Sequence, residues 1–111
     1  GSLAPDADMD IPSVIRKFSA MGRVHFLHAR NIRRTGGKSF YESGHMSEQG
    51  DVDMYEVMRA LVETGFKGAL RPDHGRMIWG ETGRPGYGLH DRALGAMYLA
   101  GIIEALEKQR R

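Results

Sequence analysis

The chain has 111 residues, 41% of them hydrophobic and 27% charged, a balance that fits one small globular domain with one core and excludes a disordered or fibrous chain. Sixteen basic side chains against 14 acidic ones leave a formal charge of only +2, too even for a general nucleic-acid binder. No apolar run approaches the ~18–20 residues of a membrane span, and without cysteine there is no disulfide framework, so a reducing cytoplasm suits the composition.

The first predicted helix starts at Asp10, an N-cap with Pro12 in the first turn. Ile11, Val14, Ile15 and Phe18 recur at helical spacing, and Gly22 stops the segment. RVHFLHARNI, Arg23 to Ile32, reads as a strand. Val24, Phe26, His28 and Arg30 share one of its faces; His25, Leu27, Ala29 and Asn31 share the other. His25, opposite His28, is expected to pack beneath the covering helices. Arg33 to Gly50 is a polar connection so long that a compact domain either uses it for function or leaves it disordered.

DMYE, Asp53 to Glu56, is a capping box that opens a second helix. Its apolar stripe is Met54, Val57, Met58, Leu61 and Val62, and Gly65 is its stop. FKGALRP, Phe66 to Pro72, is a second short strand that ends at Asp73. A loop with five glycines (Gly75, Gly80, Gly83, Gly86, Gly88) follows. Asp91 is then expected to cap a third helix with Leu94, Met97, Tyr98, Ile102, Ala105 and Leu106 on one side. The basic clusters Arg30 to Arg34 and Lys108 to Arg111 read as a solvated loop and a helix end, where cations suit the dipole.

Helices alternating with strands predict an α/β fold, a parallel sheet with helical crossovers. Two parallel strands cannot cover both of their own faces, and the opening helix lacks a preceding strand. The expected architecture is a truncated portion of a (β/α)8 TIM barrel, about two strands and three helices, because a complete barrel needs roughly 200 residues or more. Strand edges and helix faces left open in this way predict a homo-oligomer or association with the missing barrel half.

Active sites of parallel α/β folds gather at the C-terminal ends of strands. His28 lies near one such end and Asp73 at the other, and each is followed by a long loop. Imidazole plus carboxylate suits a divalent cation such as Mn²⁺, Fe²⁺ or Zn²⁺. By spacing alone a strand histidine is more often a hydrogen-bonded packing residue, and an Asp before a glycine loop is more often a turn or cap residue.

The strings HFLHARNIRR, FYESGH, GDVDMYEVMRAL, GFKGALRPDHGRMIWGE and GRPGYGLHDRALGAMYLAGIIEA strongly resemble the mannonate dehydratase family, and the resemblance covers nearly the whole chain. It implies the C-terminal part of a xylose-isomerase-like barrel and a metal-dependent lyase. Such enzymes convert D-mannonate to 2-keto-3-deoxy-D-gluconate and water in hexuronate catabolism, with Mn²⁺ or Fe²⁺. The family's metal site draws on two histidines, a cysteine and an aspartate. His28 matches one histidine and Asp73 the aspartate; the other two ligands match nothing here and are expected ahead of Gly1. His74 and Tyr87 match the acid–base residues of the family. His90 departs from the pattern, which has tyrosine there.

Dehydration of a sugar acid removes a weakly acidic proton beside the carboxylate and expels hydroxide from the next carbon. A divalent cation stabilises the charge that forms, and a placed acid helps the leaving group. His74 and Tyr87 are the expected pair, with the base and the acid not distinguished. Gly75 is expected to turn the backbone so that Asp73 and His74 reach one site. Arg76 is a candidate for the substrate carboxylate, as opposed to a surface role. Arg30 and Asn31 are candidates behind the substrate, and His45 either encloses substrate or is a solvated loop histidine. Trp79 anchors a lid or a subunit contact. The competing readings are a related metal-dependent sugar-acid or sugar isomerase barrel, and a non-catalytic fragment or assembly module. The 111-residue chain alone, with half the ligands, is expected to be inactive.

Overall fold

A computed structural model describes residues 3–111. In chain order it holds α1 (Ile11–Ala20), β1 (Phe26–His28), β2 (Ile32–Gly36), β3 (Ser39–Glu42), a single 3₁₀ turn (Ser47–Gln49), α2 (Met54–Glu63), β4 (Ala69–Arg71) and α3 (Leu89–Gln109). The α/β class is as the alternation predicts, with four strands in place of two.

The strands form two separate pairs. β1 and β4 run parallel in the register Phe26↔Ala69, Leu27↔Leu70, His28↔Arg71. β2 and β3 form an antiparallel hairpin. In the parallel pair Leu27 and Leu70 turn toward the core, while Phe26, His28, Ala69 and Arg71 line an open face. This is the alternation that the residue pattern predicts, and it sets His28 on the face that leads to Asp73.

The predicted strand Arg23 to Ile32 is in fact two. It stops at His28, where Ala29 N–H donates to the Arg71 carbonyl (2.8 Å) and Arg30 N–H folds back on the His28 carbonyl (3.2 Å). Asn31 is buried there and its side chain replaces strand pairing. Oδ1 accepts from Ile32 N–H and Val52 N–H, both at 3.0 Å, and Nδ2 donates to the Met46 carbonyl at 3.2 Å. The long connection is thus neither structureless nor disordered: it holds the hairpin and the 3₁₀ turn. Gly37 (φ +53°) opens the two-residue hairpin loop in the conformation such loops need. Asp51 clamps the hairpin base, accepting from Arg34 N–H (2.6 Å) and from Arg33 Nη1 (3.1 Å). The Arg30 to Arg34 cluster is therefore spent largely on carboxylates of this chain rather than solvated.

α1 and α2 begin at the expected caps. Asp10 accepts from Ser13 N–H, and Asp53 from Glu56 N–H. The Asp10 hydrogen bonds to Ser13 hold its carboxyl below the usual range. Glu56 pairs with Arg59 on the outer face. α2 is the central layer, packed against both α1 and α3, and buries Met54, Val57, Met58, Ala60 and Leu61. These join Ile15, Ile32, Leu99 and Leu106 in one core. His25 is exposed, contrary to expectation, because α1 leaves an open cavity of about 380 Å³ beside the start of β1, which His25 borders with Val14, Phe18 and Phe26.

α3 departs most from its predicted stripe. It begins at Leu89, so Asp91 is in its first turn and not its cap. The buried positions are Asp91, Gly95, Leu99 and Leu106, whereas Leu94 (46% exposed) and Met97 (73%) face outward. A polar residue and a glycine face inward because each meets a specific partner from another element. Truncating Met58, which has no exposed surface, leaves a cavity between α2 and its neighbours. Met58→Ala is expected to lower the unfolding free energy by about 3 kcal/mol in chemical denaturation.

Candidate functional site

The parallel register brings the ends of β1 and β4 side by side, and the chain leaving β4 bends at once. Asp73 takes φ +70°, a conformation that L-residues rarely adopt. The expected turn at Gly75 is therefore at Asp73 itself. Gly75 serves close approach instead. It bridges to Tyr87, and a Cβ there would lie 2.5 Å from the Gly88 carbonyl oxygen. Its N–H donates to the Gly86 carbonyl and its own carbonyl accepts from Gly88 N–H, both at 3.0 Å. These two bonds fold the glycine loop back and carry Tyr87 to His74.

The bend gathers a row of side chains. His28 Nδ1 lies 3.2 Å from Asp73 Oδ1, and His74 Nε2 lies 3.6 Å from Asp73 Oδ2. On its other side His74 Nδ1 is 3.3 Å from Glu42 Oε1, close enough for charge attraction though not aligned as a hydrogen bond. Arg30 forks onto Glu42, Nε to Oε2 at 3.2 Å and Nη2 to Oε1. The Tyr87 ring packs on the His74 imidazole with centroids 4.9 Å apart, and the Arg84 guanidinium lies over Tyr87 at 4.9 Å. An imidazole held between two carboxylates beside a phenol can exchange protons with a bound molecule.

His28 and Asp73 suit a divalent cation in part. Their donor atoms sit together at two strand ends, and an imidazole with a carboxylate is a set that Mn²⁺ and Fe²⁺ accept. Among the described residues no three or more His, Cys, Asp or Glu side chains are arranged to hold a metal ion. These two side chains supply a partial donor set.

The other expected residues divide. Arg30 reaches the row through Glu42, whereas Asn31 is buried in the fold. Arg76 spends its guanidinium within the chain: Nε and Nη2 fork onto Asp91 at 2.9 and 3.0 Å, and its backbone N–H adds a bond at 2.7 Å. A substrate carboxylate would have to compete with that pair. His45 is not solvated. It is 4% exposed, and Nε2 donates to the Pro72 carbonyl at 2.7 Å. With Arg76, Asp91, Gln49 and Tyr98 it borders a cavity of about 270 Å³. Trp79 is 72% exposed and its ring lies against His90, centroids 5.7 Å apart and planes tilted by 40°.

The sequence profile of the D-mannonate dehydratase (UxuA) family matches residues 1–111. The chain belongs to the mannonate dehydratase family. It is 61% identical to mannonate dehydratase 2 of Halalkalibacterium halodurans over 106 residues, 96% of this chain and 31% of that protein. It is 54% identical to mannonate dehydratase of Thermotoga maritima over 111 residues, 100% of this chain and 31% of that one. The crystal structure of mannonate dehydratase from Streptococcus suis serotype 2 superposes with a TM-score of 0.92 at 43% identity, covering 99% of this chain and 32% of that chain. The chain spans about a third of the length of the mannonate dehydratases it matches.

Within this family framework, the sequence reading missed Glu42 and Glu81. Glu42 lies in the hairpin, whose only local sign was the Gly-Gly turn. Glu81 caps α3 from a distance. It accepts Leu89 and His90 N–H because Gly88, the N-cap, has no side chain to offer. The Leu89 N–H bond holds the Glu81 carboxyl below the usual range.

Asp91, 2% exposed, is a buried carboxylate paired with Arg76. Burial pushes its carboxyl up, but the Arg76 hydrogen bonds outweigh burial and hold it below its ordinary value of 3.8. Asp91 in turn holds the Arg76 guanidinium above its ordinary range. A carboxyl depressed in the folded state stabilises fully above 3.8, and the contribution fades as pH falls through the folded-state value. Asp91→Asn is expected to flatten the acid limb of a stability–pH profile below about pH 4. Arg76→Gln is expected to cost about 2 kcal/mol, less than a fully buried pair because the Arg76 side chain is 39% exposed. Thermal unfolding across pH checks both.

Proposed function

We propose that this chain acts as the portion of a mannonate dehydratase that carries the acid–base pair and part of the metal site. The reaction is D-mannonate to 2-keto-3-deoxy-D-gluconate plus water. The observation that carries the reading is the junction of His28, Asp73, His74 and Tyr87 at two parallel strand ends, in a chain whose relatives are named for this activity. On this reading the parallel pair is part of a (β/α)8 barrel, and the open Phe26 and His28 face looks into its interior. The exposed Phe26 (64%) and the unpaired edges of β1 and β4 are the surfaces further strands would cover. The setting is hexuronate catabolism in the cytoplasm. Among the described residues no helix is long and apolar enough to cross a membrane.

His28 and Asp73 would hold the cation, Mn²⁺ or Fe²⁺, with the remaining donors supplied from outside residues 1–111. When bound, the cation stabilises the negative charge that develops on the substrate carboxylate. The rest falls to side chains of this chain. His74 and Tyr87 lie against each other, so one takes the proton beside the carboxylate while the other delivers a proton to the departing hydroxyl. Loss of water leaves an enol, which becomes the 2-keto acid by moving its hydroxyl proton to carbon. Glu42, held by Arg30, keeps the His74 ring turned toward this centre. The glycine loop brings Tyr87 and Arg84 over it.

In the full-length enzyme carrying this segment, His74→Asn and Tyr87→Phe are each expected to lower kcat by about 100-fold or more. The variant that still exchanges the proton beside the carboxylate in D₂O retains the base, which assigns the two roles. Turnover of keto-sugars alone, with no dehydration of D-mannonate, would defeat the reading. By titration calorimetry the 111-residue chain alone is expected to bind Mn²⁺ weakly, and Asp73→Asn to weaken Mn²⁺ binding by the full-length enzyme about 10-fold or more. Tight stoichiometric binding by the short chain, with turnover, would show that it holds a complete site.

A further inference from the structure

His45 shows the least expected chemistry in the molecule. Its imidazole is 4% exposed and comes from the segment between the hairpin and the 3₁₀ turn, with Pro72 27 positions away in sequence. A carbonyl oxygen has no proton to give, so Nε2 carries the hydrogen and donates to Pro72. Nδ1 has no hydrogen-bond partner among the described residues. The ring lies against α3 at Gly95, where a Cβ would stand 2.4 Å from Nδ1. Burying an imidazole with one nitrogen unmatched costs free energy. The return on that cost lies at the Pro72 carbonyl.

The same oxygen accepts a second bond, from His74 N–H at 2.9 Å. A bond between residues two apart, closing around Asp73 at φ +70°, makes a γ-turn of the rare, strained, positive-φ kind. Rotation about the Asp73 N–Cα bond is measured relative to the Pro72–Asp73 peptide plane. Whatever fixes that plane fixes where the Asp73 carboxylate and the His74 imidazole go. Strained backbone persists only where its surroundings over-determine it.

We propose that His45 is a positioning residue: its buried imidazole pins the Pro72 carbonyl and so holds the γ-turn that aims Asp73 at His28 and His74 at Tyr87. It touches neither substrate nor cation. Gly95 is the matching requirement on α3, since only a residue without a side chain leaves room for the ring. The inference rests on the proposed reading of this site for its kinetic and Mn²⁺ arms, while the Asp73 conformation tests it independently.

The test uses the full-length enzyme carrying this segment, with Mn²⁺ alone as the binding probe. His45→Phe keeps the ring and loses the donor. The expected result is a Mn²⁺ affinity about 10-fold lower or more, a kcat lower by about 100-fold from sub-ångström misplacement, and a KM within about threefold by the same argument. Its crystal structure is expected to show Asp73 outside the φ +70° region. His45→Gln, which can donate from nearly the same place, restores most of both readouts. Gly95→Ala raises intrinsic helix propensity yet displaces the ring, and so is expected to repeat the His45→Phe losses. If His45→Phe does not fold, Gly95→Ala and His45→Gln decide. Unchanged Mn²⁺ affinity and kcat in Gly95→Ala, or Asp73 still at φ +70° in His45→Phe with both readouts intact, overturns the proposal. Failure of the parent enzyme to dehydrate D-mannonate would sink the functional reading, while the Asp73 conformation in His45→Phe still decides this one.

Discussion

The parallel register of β1 with β4 is the constraint on which the site depends. Pairing His28 with Arg71 leaves one residue, Pro72, before Asp73, and a strand that ran straight on would carry the carboxylate past the end of β1. The reversal at Asp73 turns it back, so that Oδ1 meets His28 Nδ1 at 3.2 Å. A slip of one residue in either strand would send His28 or Asp73 to the helix-covered face. Leu27 and Leu70 oppose such a slip, since each would exchange a packed position for an open one.

A second layer of constraint comes from α3. Its inward positions at the N-terminal end are a carboxylate and a glycine, which local periodicity would place outside a core. They face inward because Arg76 forks onto Asp91 and the His45 ring occupies the space over Gly95. The glycine loop, the hairpin exit and the third helix therefore meet at one polar junction behind the strand ends. The apolar core under α2 secures the elements, and this junction secures their C-terminal ends against one another.

Where the sequence carried a local cause, the structure was legible from it. Asp10 and Asp53 cap as their positions require, the α2 stripe is buried as its spacing predicts, and alternation puts His28 on the open face. Where the cause is long-range, the pattern misled. Asn31 looked like a strand residue and is a buried clamp on Val52 and Met46. Leu94 and Met97 looked like core, yet the middle of the third helix, Ala93 to Ile103, carries apolar residues and glycine on every side, so periodicity could not choose its inner face. Thr35-Gly36-Gly37-Lys38 was a readable hairpin signal inside a segment taken for a loop. Its strands mix polar and apolar residues without regular alternation, Ile32-Arg33-Arg34 in one and Ser39-Phe40-Tyr41-Glu42 in the other. Juxtaposition of His28 with Asp73 followed from strand-end reasoning, whereas the Glu42 and His45 contacts needed the third dimension.

The hairpin joins two ends with opposite demands. At its base, Asp51 holds Arg33 and Arg34 while Glu42 reaches the imidazole row, so those positions tolerate little drift. At its tip, Gly36, Gly37 and Lys38 are exposed and touch nothing that the row depends on. Chain length can therefore vary at that tip across evolution, by insertion or deletion, without disturbing the spacing of the charged groups below. The same tip is a natural place to graft an epitope or a fluorophore that reports on the site from outside it.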